Sequence, residues 1–345
     1  MKKIVVLLGA LLVIIAISYF AVTNLKHEKN MSLTPKGNSF SPSPTPMPFE
    51  DLTIPYLRSR PYTGVLGKLE QVSAGSSYTS YSTSYLSDGL KINAQLTIPN
   101  GDMPLEGWSA IVFVHGYIPP SLYETFKNYA AYVDYLASEG FVIFKVDLRG
   151  HGNSEGTPGG AYYSSDYIID VLNAKSALQK SDFVNPQKIG LWGHSMAGNV
   201  VSRAMAVDTS IPAVVIWAGA VYTYSDMQKY GIQDNSYRPP SDQSQRTRRR
   251  TQLFEKYGQF NPESAFWKSV PMTNYLSDIK GAIQIHHAVD DDVVNIGYSR
   301  DFDLLLDNTS IYHELNEYPS GGHNITGVSF SQAMRKTADF FKKYL

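Results

Sequence analysis

Along this chain, short continuous apolar runs alternate with stretches in which apolar residues recur at helical spacing. The first clear pattern spans residues 85–99, where Ile92, Ala94, Leu96 and Ile98 alternate with polar positions behind Ser87-Asp88-Gly89. A period of two next to a turn signal predicts a hairpin. Residues 110–115 are apolar up to Gly116, as a parallel strand covered on both faces should be. Leu122, Phe126, Tyr129, Ala130, Val133, Leu136 and Ala137 follow a helical period, with Gly140 suited to the cap. Further strands are predicted at 141–148, 188–193, 213–218, 282–287 and 311–318, and helices at 165–178, 196–206 and 330–344. Strand–helix alternation of this kind predicts an α/β fold, a mostly parallel twisted sheet with helices on both faces.

Two stretches break the pattern. Residues 222–275 are rich in Tyr, Gln, Arg and Ser and show no strand period. They lie between two predicted strands, so they should leave the carboxyl edge of the sheet as a small cap insertion. A surface insertion without substrate contact is the alternative. At the other end, Lys2 and Lys3 precede an apolar run at 4–22. As a helix this run is roughly 28 Å long, close to the bilayer core. It reads as an uncleaved signal anchor, because no small-x-small cleavage site is clear; a cleaved signal is the alternative. The leading lysines favour an inside N-terminus, with Lys26 and Lys29 opposing them. The expected organisation is an anchor at 1–22, a Ser/Pro-rich linker at 23–50 and a folded domain at 51–345, held outside the cytoplasmic membrane.

Net charge is −1 and charged residues make up 18% of the chain, which gives no bias toward nucleic acid. The one basic run, Arg246, Arg248, Arg249 and Arg250, reads as a solvated face, with an acidic-substrate site as the lesser reading. The absence of cysteine excludes thiolate zinc, disulfides and a lipoprotein anchor.

The chemistry concentrates in Gly193-His194-Ser195-Met196-Ala197-Gly198, which follows an apolar strand and opens a helix. That context is what a nucleophile elbow requires, and the small residues two before and two after the serine satisfy its steric condition. A serine hydroxyl is a weak nucleophile and needs a base with a group to orient it. His323 stands in Tyr318-Pro319-Ser320-Gly321-Gly322-His323, a glycine-rich loop directly after a predicted strand. The acid should come from Asp290, Asp291 and Asp292 at the end of another strand. The residues alone leave that choice open, and a cation held with His286 and His287 is a further reading. Backbone N–H groups of Met196 and Tyr117 are the candidates for an oxyanion hole. Asp147, Arg149 and His151 lie in a Gly-rich turn without a phosphate-loop lysine and read as structural. His194 reads as a packed neighbour of the elbow. No cofactor or metal is expected.

In order, the motifs HGY, DLRGHGNSEG, GHSMAG, DDDVV and GGHN resemble those of the α/β-hydrolases, near prolyl-oligopeptidase-like catalytic domains and bacterial carboxyl and feruloyl esterases. The resemblance covers about residues 80–345 and implies a Ser-Asp-His triad of Ser195, Asp291 and His323. Aligning Ala288 with the glycine common in the family is what selects Asp291. Asn295 stands where a proline is frequent. The roughly 30 residues between the linker and the hairpin are too few for the propeller of the prolyl oligopeptidases. The resemblance therefore implies an esterase acting through an acyl-enzyme on a small ester. A small peptidase or amidase with the same residues is the second reading, and a catalytically silent binding protein on this fold is the third.

Overall fold

Among the described residues nine strands, numbered β1 to β9 along the chain, form one sheet in the order β1-β2-β3-β5-β4-β6-β7-β8-β9. In this computed structural model, which describes residues 47–235, 237 and 244–345, they span Glu70–Ala74, Tyr78–Ser87, Leu90–Pro99, Trp108–Val114, Val142–Val146, Val184–His194, Ala213–Trp217, Ala282–Ala288 and His313–Tyr318 for β1 to β9. The first three pair antiparallel, β3 joins β5 antiparallel, and β5 through β9 run parallel. Residues Phe49–Leu345 make up one compact unit. The expected anchor at 1–22 and most of the linker lie outside the described residues. Among the described residues no helix is long and apolar enough to cross a membrane.

Both faces of the parallel region are covered, which is why its strands read as continuous apolar runs. On β4, Ala110, Val112 and Val114 enter one core, while Ile111 and Phe113 enter the other. The first core receives the helices Asp166–Gln179, Met196–Val207 and Gly297–Leu306; the second receives Ala130–Ser138 and Val328–Tyr344. The hairpin forms where expected: Ser87 faces Leu90 across Asp88 (φ 50°) and Gly89 (φ 81°), a two-residue turn that needs left-handed backbone at both positions.

The helix expected from Leu122 begins only at Ala130. Leu122 is 66% exposed, so the early part of the apolar period is not a buried face. A buried lysine explains the difference. Lys145 on β5 donates from Nζ to the carbonyls of Thr125 and Asn128, and Thr125 and Tyr123 give their hydroxyls to Asp147. Those side chains and carbonyls serve a charge beneath the loop, and a helix would withdraw them. Among its described residues the stretch 222–275 carries the helices Tyr224–Tyr230, Gln245–Tyr257 and Ala265–Lys268 and enters a 3-10 stretch at Met272–Asp278.

Candidate active site

Ser195 sits between the last residue of β6 and the first of the helix Met196–Val207, at φ 57° and ψ −121°. Side chains rarely adopt that backbone, and it persists only where neighbours enforce it. The neighbours are visible. A Cβ on Gly193 would lie 2.8 Å from the carbonyl oxygen of Ala197, and one on Gly198 would lie 2.7 Å from the Cα of Gly219. The Ser195 N–H donates to Trp217 O on β7 at 2.8 Å, which ties the bend to the middle of the sheet. The result is a hydroxyl presented at the carboxyl edge, where it lines a cavity of about 840 Å³ together with His323.

The three consecutive aspartates divide their roles. Asp291 Oδ2 accepts from His323 Nδ1 at 2.8 Å, and its Oδ1 accepts the backbone N–H groups of Val293 and Val294 at 2.9 Å each. Burial alone would raise this carboxyl. Hydrogen bonds from His287 and His323 outweigh it and hold the group well below the usual carboxylate range. Among the described residues Asp290 meets no imidazole; it takes the N–H groups of Gly321 and Gly322 at 3.2 and 2.8 Å and so fixes the loop that carries His323. Asp292 lines the cavity. With Nδ1–H given to Asp291, the other ring nitrogen of His323 is left as an acceptor. Among the described residues no hydrogen bond joins it to Ser195 Oγ in this arrangement; such contacts often tighten only with substrate bound.

Met196 is the first residue of its helix, so its N–H has no intrahelical acceptor. Gly116 N–H is taken by the Tyr129 hydroxyl at 3.0 Å, which leaves Tyr117 as the next residue along that loop. Tyr117, Ser195 and Met196 come together on the wall of a second cavity, of about 500 Å³.

His194 does more than pack. Its Nε2 lies 2.8 Å from the carbonyl oxygen of His323, which can only accept, so Nε2 carries the proton. Its Nδ1 therefore accepts the Tyr129 hydroxyl at 2.7 Å. The ring is neutral: burial, reinforced by His323, pushes its pKa down to about 3. One imidazole thus links the loop of Gly116 to the loop of His323. Its place beside Ser195 is legible in the sequence, but its partners are not.

Residues 108–237 match the model of the family described as Serine aminopeptidase, S33. The acetyl xylan esterase of Paenibacillus sp. R4 superimposes with a TM-score of 0.60 at 17% identity, over 85% of this chain and 92% of its own. The acylaminoacyl peptidase of Pyrococcus horikoshii does so with a TM-score of 0.59 at 19% identity, over 78% of this chain and 42% of its own. This is the α/β-hydrolase fold.

A thiohydrolase of Aspergillus aculeatus is 28% identical over 128 residues, 37% of each chain. A 31.7 kDa protein from the traX-finO intergenic region of Escherichia coli is 31% identical over 134 residues, 38% of this chain and 42% of its own. The chain thus matches about two fifths of the length of these curated relatives. In this chain the segment matched by the family model holds Tyr117 and the Ser195 bend, while Asp291 and His323 lie beyond it.

Arg246, Arg249 and Arg250 of the basic run line the second cavity, and Arg248 and Arg250 are exposed to solvent, as a solvated face would be. Arg249 pairs with Asp51, and the Arg246 guanidinium lies 5.9 Å from the centre of the Tyr237 ring. Tyr162, Tyr163 and Met227 line the same space, so residues from the 222–275 insertion and the 157–166 loop face Ser195. Arg149 is structural, with its guanidinium 2.7 Å from the buried Asp170. His151 packs against His115 with ring centres 4.8 Å apart. His286 is held by Tyr318 and Gln284, and among the described residues no group of three or more His, Asp or Glu is placed to hold a metal ion.

Proposed function

We propose that this chain is a serine hydrolase that cleaves carboxylic esters through an acyl-enzyme. The observation that carries the reading is the cavity shared by a serine in a strained bend and a histidine whose Nδ1–H is held by a buried carboxylate. In this mechanism Ser195 Oγ attacks the ester carbonyl while His323 Nε2 takes the hydroxyl proton. Asp291 keeps the tautomer and stabilises the imidazolium that forms. The N–H groups of Met196 and Tyr117 receive the oxyanion, and the helix start behind Ser195 adds a favourable field. Collapse expels the alcohol, which takes the proton from His323. Water, deprotonated by the same nitrogen, then releases the acid and restores Ser195.

An ester fits the second cavity, where Tyr162, Tyr163 and Tyr237 offer rings to an acyl or aryl group. The acetyl xylan esterase that aligns with this chain does so over 92% of its own length, whereas the acylaminoacyl peptidase does so over 42%. That difference supports ester over amide. The peptidase reading uses the same residues and is favoured by the family description for residues 108–237. Hydrolysis of p-nitrophenyl acyl esters, set against aminoacyl p-nitroanilides, separates the two; faster turnover of the anilides overturns the ester assignment. The apolar run at 4–22 is proposed to anchor the domain on the outer side of the membrane, and protease accessibility of the domain in intact cells tests this.

A further inference from the structure

We infer that His287 is a positioning residue for the proposed reaction: it donates to the same oxygen of Asp291 as His323 and shares its charge, so that one carboxylate oxygen serves two imidazoles. The inference rests on the reading of Ser195, Asp291 and His323 given above.

His287 lies near the end of β8 with its side chain fully buried. Its Nε2 is 3.1 Å from Asp291 Oδ2 and 2.9 Å from the carbonyl oxygen of Val294. A carboxylate and a carbonyl only accept, so this nitrogen carries the proton. Its Nδ1 is 2.7 Å from the hydroxyl of Ser299, on the helix Gly297–Leu306, and that hydroxyl donates to it. A single neutral tautomer satisfies every partner, so the ring has one orientation. The oxygen it reaches is the same Oδ2 that accepts from His323 Nδ1. With the two backbone donors on Oδ1, Asp291 has its rotation fixed by contacts from both sides.

Two consequences follow from this geometry. First, the carboxylate stays aligned with His323 when substrate enters. Second, a donor on Oδ2 that does not belong to His323 draws off part of the charge that would otherwise stabilise the His323 imidazolium. The other groups facing these rings are Glu317, which interacts electrostatically with His287, the His194 ring, 4.6 Å from that of His323, and Asp292, which lines the same cavity. Removing His287 leaves those groups in place.

The test uses the full chain with His287→Leu, His287→Gln and Ser299→Ala. Selective 15N labelling of histidine lets the His323 titration be followed whether or not a given ester turns over. With His287→Leu, His323 should titrate about half to one pH unit higher than in the unmodified chain. The acid limb of kcat/KM should move by the same amount, and kcat should fall about 10- to 100-fold with little change in KM. His287→Gln, whose amide can still donate to Asp291, should recover most of both effects. Ser299→Ala frees the His287 tautomer and should give a smaller shift in the same direction; it carries the test if His287→Leu does not fold. An unchanged His323 titration in folded His287→Leu or, failing that, in Ser299→Ala overturns the inference. Hydrolysis that survives Ser195→Ala overturns the reading of the site instead.

Discussion

His194 Nε2 stands 2.8 Å from the carbonyl oxygen of His323, so the residue just before the proposed nucleophile anchors the backbone of the proposed base. Because its other nitrogen accepts from Tyr129, whose hydroxyl holds Gly116 N–H, the nucleophile, the base and the oxyanion loop are joined through one ring.

Replacing that ring by Phe removes the donor to His323 and leaves a carbonyl and a tyrosine hydroxyl to find new partners. His194→Phe should cost about 1–3 kcal/mol of stability. It should also lower kcat by about tenfold or more, since the base is then held less well. Denaturant midpoints and steady-state kinetics check both; unchanged kinetics in a folded variant would show that the contact does not position His323.

The aspartates predict an unequal pair of substitutions. Asp291→Asn presents an amide to His323 Nδ1, disfavours the required tautomer and should lower kcat by about 10⁴. Asp290→Ala loses only the bonds to Gly321 and Gly322 N–H and should cost about tenfold or less. Single-turnover rates for the two variants should keep that order; the reverse order would move the acid to Asp290.

Acid should destabilise the domain well above the carboxylate range. His194 and His286 are buried and have their pKa values lowered to about 3 from 6.5, so the folded state stays unprotonated while the unfolded chain takes up protons. Each therefore contributes stability that is present above 6.5 and is lost between 6.5 and 3, at about 1.4 kcal/mol per pH unit. His115 and His151, also lowered by burial, act in the same direction. Asp147 opposes them: burial raises it to about 6, which favours the folded state on acidification between 6 and 3.8. Asp170 is also raised by burial and opposes them too. Urea midpoints measured from pH 7.5 to 5 should fall; a flat or rising profile contradicts the assignment of neutral buried imidazoles.

Much of this was legible in the chain because the parallel strands are buried on both faces and leave unbroken apolar runs, as at Ala213–Trp217. The elbow was legible because Gly193 and Ala197 obey a steric rule that acts over two residues. The loop at 122–129 was misread because its fold depends on Lys145 and Asp147, which are distant in sequence and impose acceptors and donors rather than a period. The helix Gly297–Leu306 was missed, and with it the Ser299 hydroxyl on His287. His194 and His287 could be seen as residues but not as partners, since polar contacts between loops leave no local pattern. The arginines of the 246–250 run similarly reveal their cavity only once the strand edge and the insertion meet.

Whether Ser195 is a nucleophile activated by His323 is decided by labelling the full chain with a fluorophosphonate and mapping the adduct by mass spectrometry. One adduct is expected, on Ser195, abolished by Ser195→Ala in a protein that melts as the unmodified chain does and strongly slowed by His323→Ala. Labelling elsewhere that survives Ser195→Ala, or ester hydrolysis retained by that variant, would contradict it.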